Sequence, residues 1–251
     1  MGPRPRRLTS GLLLAGVLGL GACAPVPTGT PSPVGTPSEP SPTSEESPPA
    51  SSAPAHPLPD GDLPGTPFDA GPADGDEVAV VGVAADDVLN LRVGPGVEFD
   101  VVGELEPLGS AAGTGRARTL EEDGIWVELT SDGATGWANL RYLAYLGEVT
   151  DITSRLSVLP SGDDLAELGE RVTHAWVSEG TEATPEITVV DGPHEGDLGE
   201  VTVDALGLED DSVLGMRLHV FAQPDGDGFR VRTVEQTVLC ARGVDAERLC
   251  V

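Results

Sequence analysis

The residues with the clearest potential for chemistry are the acidic residues of one turn and the four histidines. Asp225 and Asp227 lie in the segment PDGDG, which has calcium-like spacing but lacks the remaining ligands of an EF-hand loop. His194 precedes Glu195 without the second histidine of a zinc protease motif, and the histidines show no metal-ligand spacing. We therefore expect no enzyme, no metal and no cofactor. A hydrolase whose triad assembles across the fold stays open as a third hypothesis, since triad residues need not be adjacent in sequence.

The charge of the chain restricts its partners. Forty-two acidic residues face 14 basic ones, which gives a formal net charge of −28 at pH 7. A surface of this sign repels nucleic acid and anionic lipid headgroups. We exclude nucleic acid as a partner, whereas neutral glycans, amine-bearing peptides and basic protein surfaces remain.

The N-terminus has the organisation of an export signal. Three arginines within residues 1–7 precede an apolar stretch over residues 8–20, which is too short for a permanent membrane span. Residues 20–23 (LGAC) resemble the lipobox of bacterial lipoproteins. The resemblance implies removal of a signal peptide spanning residues 1–22, lipidation of Cys23, and residence on the extracytoplasmic face of the cell membrane. An ordinary signal peptide is the alternative, and general secretion is favoured over twin-arginine export.

The other two cysteines lie close to the C-terminus. If Cys23 takes the lipid, Cys240 and Cys250 are left as a pair in an oxidising compartment. We expect them to form a disulfide that ties down the end of the chain. A catalytic thiol or a redox pair is the alternative.

Residues 23–77 have the composition of a linker. They are rich in Pro, Ser, Thr and acidic residues, and Phe68 is the only aromatic residue among them. Such a segment buries too little apolar surface to offset its ordering entropy. We expect a disordered tether between the lipid and the folded part.

Residues 78–149 change to short apolar runs separated by turns. Five strands are predicted, over residues 78–81, 88–93, 101–105, 125–129 and 136–138. Turn residues separate them, including Gly-Pro-Gly at 94–96. Short strands with turns between them predict a small all-β barrel.

Four segments of this region together resemble bacterial SH3 (SH3b) domains. They are LNLRVGPG at residues 89–96, VVGEL at 101–105, WVEL at 126–129 and GWANLRYL at 136–143. Val93 replaces the usual Ser or Thr, and residues 113–123 form a longer insert. The resemblance implies an SH3-like fold and a module that binds peptidoglycan or its stem peptides, without catalysis.

Six side chains are the candidate ligand contacts. They are Asn90, Arg92, Trp126, Trp137, Asn139 and Tyr142. The three aromatic residues would form a platform and the others polar contacts. Burial of Trp137 in the core, and a clamp by Arg92 on a turn carbonyl, are the alternatives. We expect Asn139 and Tyr142 to face the surface.

Residues 150–162 are interpreted as a connector and residues 163–251 as a small α+β domain. A capping box at 161–164 precedes one apolar stripe at helical spacing, formed by Leu165, Leu168, Val172 and Trp176. Four strands are predicted after it, over residues 187–190, 200–206, 213–222 and 229–239. The predicted fold class is thus multi-domain, with a disordered tether, an SH3-like barrel and an α+β domain.

These patterns together predict a membrane-anchored lipoprotein of the cell envelope, with a palmitate-bearing lipid anchor, whose SH3b domain binds cell-wall peptide or glycan. The alternative is a protein–protein adaptor or sensor ectodomain that docks on an envelope enzyme or receptor. In both cases the partner lies outside the cytoplasm, and contact with the membrane is through the lipid.

Overall fold

The computed structural model describes residues 58–178, 184–208 and 211–251. The predicted signal peptide, the lipidation site Cys23 and the linker up to residue 57 lie outside these residues. The first eight strands are β1 (Thr66–Pro67), β2 (Glu77–Val80), β3 (Leu89–Arg92), β4 (Val101–Leu105), β5 (Ser110–Leu120), β6 (Gly124–Ser131), β7 (Ala134–Asn139) and β8 (Leu143–Asp151). The remaining elements are β9 (Ser161–Gly162), helix α1 (Leu165–Ser178), β10 (Glu186–His194), β11 (Gly199–Leu206), β12 (Val213–Asp225) and β13 (Gly228–Cys240). Short 3-10 helices cover Asp60–Asp62, Leu140–Tyr142 and Thr153–Arg155.

The described strands form one open, mostly antiparallel sheet. Its order is β10-β11-β12-β13-β8-β2-β5-β6-β7-β3-β4, with β1 added to β5 and β9 added to β13. The predicted fold class, a small SH3-like barrel followed by an α+β domain, is therefore wrong. The physical reason is β8, which pairs with β2 through Val80 and Leu143 and with β13 through Thr237 and Val149. The same strand continues the ladder from one half of the chain into the other.

Strand β5 also departs from the sequence-based expectation. Residues 113–123, interpreted above as an insert, lie largely within β5, which pairs with β2 on one side and β6 on the other. A register shift lies between Gly113 and Ala117, where Gly115 has a positive φ of 79°. The small residues of this strand carry little apolar patterning, so its period-two signal is weak.

Two apolar cores lie along the sheet. The first joins strands β2 to β8 and includes Val80, Leu91 and Leu129, all at most 1% exposed. The second joins α1 to the C-terminal strands, where Leu168 packs with Val203. A smaller cluster of Val81, Ala144 and Leu239 lies between the two. Side chains therefore pack continuously from one half of the sheet to the other.

The predicted helix is present. Its stripe residues Leu165, Leu168 and Val172 are buried. The Asp164 carboxylate accepts a hydrogen bond from the Glu167 backbone N–H at 2.9 Å, which satisfies one free donor of the first turn. The helix thereby covers one face of strands β11 and β12.

The C-terminal cysteines form the expected disulfide between Cys240 and Cys250. The closed loop lies on β8, where the Glu148 N–H donates to the Arg248 carbonyl at 3.0 Å and the Arg248 guanidinium donates to the Gly147 carbonyl at 3.3 Å. A disulfide is compatible with an extracytoplasmic compartment. Among the described helices, none has the length and hydropathy needed to cross a membrane.

Residues 58–76 differ from the disordered tether that their composition predicts. Leu63 is 8% exposed, and Thr66 pairs with Thr119 in β5. The Tyr145 hydroxyl donates to the Asp76 carboxylate at 3.0 Å. Burial and this hydrogen bond raise the pKa of Tyr145 to about 12. The last part of the predicted linker is therefore packed against the sheet.

Candidate binding cleft

A cleft of about 990 Å³ opens where the two halves of the sheet meet. One wall comes from the loop after β2 and from strand β3. A second comes from the β5–β6 turn and the 3-10 helix Leu140–Tyr142. The third comes from the C-terminal half, through Glu186, Thr188, Leu214 and Ala241. The cleft thus depends on the pairing of β8 with both halves, which brings these walls together.

Five of the six candidate ligand residues line this cleft. They are Asn90, Arg92, Trp126, Asn139 and Tyr142. Strands β6 and β7 bring two of them together directly, because Trp126 and Asn139 are register partners. Trp137 does not line the cleft and is fully buried, as the core alternative holds.

Asn139 lines the cleft and links two of its segments by side-chain hydrogen bonds. Its side-chain oxygen accepts from the Arg141 N–H at 3.0 Å, and its amide nitrogen donates to the Asp123 carbonyl at 2.7 Å. The first bond caps the 3-10 helix Leu140–Tyr142 and the second holds the β5–β6 turn. Both ends of the amide are therefore engaged, so Asn139 positions its neighbours.

Tyr142 is half-buried at the same place. The Arg141 guanidinium lies 5.0 Å from the centre of its ring, within cation–π distance. Arg141 also pairs with Glu186 of β10 at 3.3 Å, so this contact links the two walls of the cleft. The phenol ring is the aromatic surface that a ligand in the cleft can reach.

Arg92 holds a turn instead of presenting a free charge. Its Nη1 donates to the Phe99 carbonyl at 2.7 Å, and the Val93 N–H donates to the Asp100 carbonyl at 3.0 Å. These bonds close the loop between β3 and β4. The clamp alternative therefore describes the main contact of Arg92, although part of the side chain still lines the cleft.

The aromatic platform is largely covered. Trp126 is only 4% exposed, and it packs with Trp137 and Leu63. Neither indole N–H has an acceptor among the described residues, although both are buried. Burying a donor without a partner costs about 1–3 kcal/mol. Trp126 therefore contributes little exposed surface to the cleft.

The electrostatic balance of the cleft is negative. Its acidic lining residues are Asp87, Glu122, Asp123 and Glu186. Glu186 pairs with Arg141, whereas the other three form no ion pair with a described residue. Four acidic residues against the two arginines Arg92 and Arg141 leave the lining with a net negative charge, which favours a neutral or amine-bearing ligand over an anionic one.

A buried ion pair, called here the joint, lies behind the first wall of the cleft, next to Gly82. The Arg217 guanidinium donates to both carboxylate oxygens of Asp204, at 2.7 and 2.8 Å, and to the Val80 carbonyl at 2.8 Å. Asp204 also accepts from the Gly82 N–H at 2.9 Å. Strands β11 and β12 are thereby fixed to the end of β2, where the first wall of the cleft begins.

The joint was missed by sequence reasoning, although a signal for it exists. Asp204 interrupts the apolar run of β11 and Arg217 that of β12. The two residues are register partners on neighbouring strands. A charged residue in the middle of each of two successive buried strands favours a buried pair, because neither charge is stable there alone.

The described residues offer no group of three or more His, Cys, Asp or Glu side chains that could hold a metal ion. In the acidic turn that resembled a calcium loop, the Asp225 carboxylate pairs with Arg230. His194 lies 3.2 Å from Asp191, and His219 stacks on Phe221 with ring centres 4.1 Å apart.

Comparison of the chain with protein-family models, with curated proteins and with solved structures finds no match. The cleft is therefore interpreted from its own residues and from the sequence resemblance described above.

Proposed function

We propose that this protein is a lipid-anchored, extracytoplasmic component of the bacterial envelope whose cleft binds a peptide or glycan of the cell wall. The observation that carries the proposal is the cleft itself. It is lined by five of the six side chains predicted from the SH3b-like segments, of which Arg92, Trp126 and Asn139 are held by contacts within the protein and Asn90 and Tyr142 face a ligand. The disulfide supports an oxidising compartment, and the LGAC segment supports the anchor at Cys23.

The chemistry of the cleft favours the amine-bearing stem peptide over the anionic polymers of the wall. Asp87, Glu122 and Asp123 supply negative charge without an ion-pair partner among the described residues. Tyr142 supplies a ring face, and the Asn90 amide can both donate and accept hydrogen bonds. A peptide with a free ammonium group and several amides complements such a lining.

Co-sedimentation with purified peptidoglycan tests the binding. The full chain carrying Cys23→Ser, which cannot be lipidated, should pellet with peptidoglycan, and Tyr142→Ala or Asp123→Asn should reduce the bound fraction at least fivefold. Val158→Ala and Asp69→Asn are matched controls at exposed positions outside the cleft. Equal binding by all variants, or no binding by the parent, would reject the cleft as a wall-binding site.

The anchor has a separate test. Cells expressing the natural chain and fed labelled palmitate should yield a labelled protein, whereas Cys23→Ser should not be labelled. A labelled Cys23→Ser protein would show that the lipid is attached elsewhere. This measurement does not depend on the ligand of the cleft.

The adaptor function is the second candidate, and one feature of the sheet favours it. Strand β4 lies at one end of the described sheet, and Val101 in that strand is 45% exposed. Val97 and Leu108 beside it are 65% and 39% exposed. An end strand with exposed apolar side chains can pair with a strand of another protein. Loss of binding to an envelope protein in Val101→Lys, with peptidoglycan binding retained, would identify this function.

A further inference from the structure

Residues 58–63, called here the strap, cross the face of the sheet that points away from the first core. In β6, Val127 and Leu129 enter that core, whereas Trp126 points to the other face and packs with Trp137 and Leu63. The Leu58 N–H donates to the Val93 carbonyl at 3.1 Å, which fixes the start of the strap near the end of β3.

Two arginines of β5 bind the strap, through its Asp60 carboxylate and through two of its backbone carbonyls. Arg116 pairs with the Asp60 carboxylate at 2.8 Å and donates to the Leu58 carbonyl at 3.1 Å. Arg118 donates to the Asp60 carbonyl at 3.1 Å. The Arg116 guanidinium also pairs with the buried Glu128 and lies 5.3 Å from the ring centre of Trp137.

The strap has an extended backbone on both sides of its 3-10 turn. Pro59 has φ −66° and ψ 153°, and Leu63 has φ −78° and ψ 133°. Both pairs of angles are those of polyproline II, and a single 3-10 turn lies between them. The sequence of residues 58–65 is LPDGDLPG. The surface is therefore occupied by an acidic, proline-containing segment of the same chain.

The strap leaves two hydrogen-bond donors of this surface without an acceptor. The indole N–H groups of Trp126 and Trp137 are buried without an acceptor among the described residues. The Asp60 side chain is 75% exposed, and ion pairs at such exposure contribute little stability. A peptide that offers an acceptor to either indole would gain an interaction that the strap does not make.

We propose that the strap occupies in cis a peptide-docking surface formed by Trp126, Trp137, Arg116, Arg118 and the Val93 carbonyl, and that an acidic, proline-containing segment of a partner protein binds there by displacing it. The surface complements this chemistry in three ways. Its tryptophans pack against a leucine, its arginines pair with a carboxylate and donate to carbonyls, and its Val93 carbonyl, which accepts the Leu58 N–H in this structure, can accept the backbone N–H of a partner. This surface shares Trp126 with the cleft, whereas Trp137, Arg116, Arg118 and Val93 do not line the cleft.

Calorimetric titration with a synthetic peptide tests the proposal. The peptide covers residues 58–65, and the protein is the full chain with Cys23→Ser. In a variant with Leu58→Ala and Leu63→Ala, which weakens the strap, the peptide should bind at least tenfold more tightly than in the parent. The reason is that the intact strap competes at a high effective concentration.

Two changes test the role of charge. A peptide carrying Asp60→Asn should bind the weakened variant at least fivefold less tightly, and this comparison leaves the folded protein untouched. Adding Arg116→Gln to the weakened variant should also reduce affinity at least tenfold, whereas adding Asp69→Asn, an exposed acid outside the strap, should leave affinity unchanged.

Three outcomes would overturn the proposal. The first is a weakened variant that keeps its circular dichroism spectrum and a cooperative thermal transition but does not bind the peptide. The second is equal affinity for the parent peptide and its Asp60→Asn form. The third is binding of an N-acetylglucosamine oligomer, but no peptide, at this surface, which would assign it to glycans.

Discussion

The two halves of the sheet cover their apolar faces in different ways. In the C-terminal half, α1 buries Leu165, Leu168 and Val172 against three strands. In the N-terminal half, a six-residue strap covers Trp126 and Trp137 and is held by Leu63, by the Leu58–Val93 hydrogen bond and by the ion pair of Asp60. A helix that forms its own backbone hydrogen bonds is a permanent cover, whereas a strap held by a few polar contacts can be exchanged. We therefore expect the helix-covered C-terminal half to contribute more to stability, and the strap-covered N-terminal half to bind a partner.

Breaking the joint should have the largest effect, because it links the two halves. Arg217→Met leaves the Asp204 carboxylate buried without its partner, which should lower the free energy of unfolding by about 3–5 kcal/mol. Urea denaturation followed by circular dichroism measures this. Arg230→Met, at an exposed pair with Asp225, is the matched control and should change it by less than about 1 kcal/mol. Similar effects of the two substitutions would show that the joint does not stabilise the assembly of the halves.

Replacing one leucine of α1 and one of the strap by alanine tests whether the two segments contribute differently to stability. Leu168→Ala in α1 should cost about 3 kcal/mol, because the side chain is fully buried against the sheet and its removal leaves a cavity. Leu63→Ala should cost about 1–2 kcal/mol, since the strap can move toward the space that is left. Chemical denaturation of both variants gives the two values. An equal or larger cost for Leu63 would mean that the strap is as permanent as the helix.

Removing the disulfide should affect the C-terminal end of the sheet. A variant with Cys240→Ala and Cys250→Ala should lose about 2–3 kcal/mol, since the covalent ring spans a sequence separation of 10. Hydrogen exchange should rise first at Glu148, whose N–H donates to Arg248 of the closed loop. Unchanged protection of that amide would show that the loop stays on β8 without its covalent closure.

The smallest effect concerns the charge of the strap. The Arg116 guanidinium, through a hydrogen bond and its charge, lowers the pKa of Asp60 below its usual value of 3.8. Because the folded pKa is the lower one, the contribution of Asp60 is complete above pH 3.8 and is lost as the pH falls through the folded pKa. Tryptophan emission against urea at pH 6 should therefore distinguish Asp60→Asn from the parent. The difference should vanish in strong acid.

The control for this pH dependence is Asp69→Asn, which should match the parent at every pH. A difference between Asp60→Asn and the parent that persists unchanged in strong acid would indicate that the side-chain shape, and not the charge, anchors the strap.

Local patterns predicted individual elements better than their assembly. Alternating apolar residues predicted β3 and β4, and the stripe from Leu165 to Val172 predicted α1. Strand β8 was not predicted, because its second part, residues 147–151, is mostly polar and exposed and shows no apolar alternation. Its partners β2 and β13 also lie far from it in sequence. Without β8, the pattern predicted two separate folds where the structure has one sheet.

The candidate site shows the same division. The SH3b-like segments marked five residues that line the cleft, since β3, β6 and β7 are neighbours in the sheet. The wall containing Glu186, and Asp204, which holds Gly82 in the first wall, come from distant sequence, which no local motif predicts. The strap was interpreted as linker because Pro, Gly and Asp are typical of linkers, although Leu58 and Leu63 give it two apolar contacts.

The position of the strap at the start of the described fold has a mechanical consequence. A force applied to the chain before residue 58 acts first on the Leu58–Val93 hydrogen bond and the Asp60 ion pairs, and next on the two-residue strand β1. The ladder of β2 with β5 and β8 follows only after these have parted. A modest pull would therefore peel the strap and expose Trp126 and Trp137 while the sheet, the joint and the cleft stay intact.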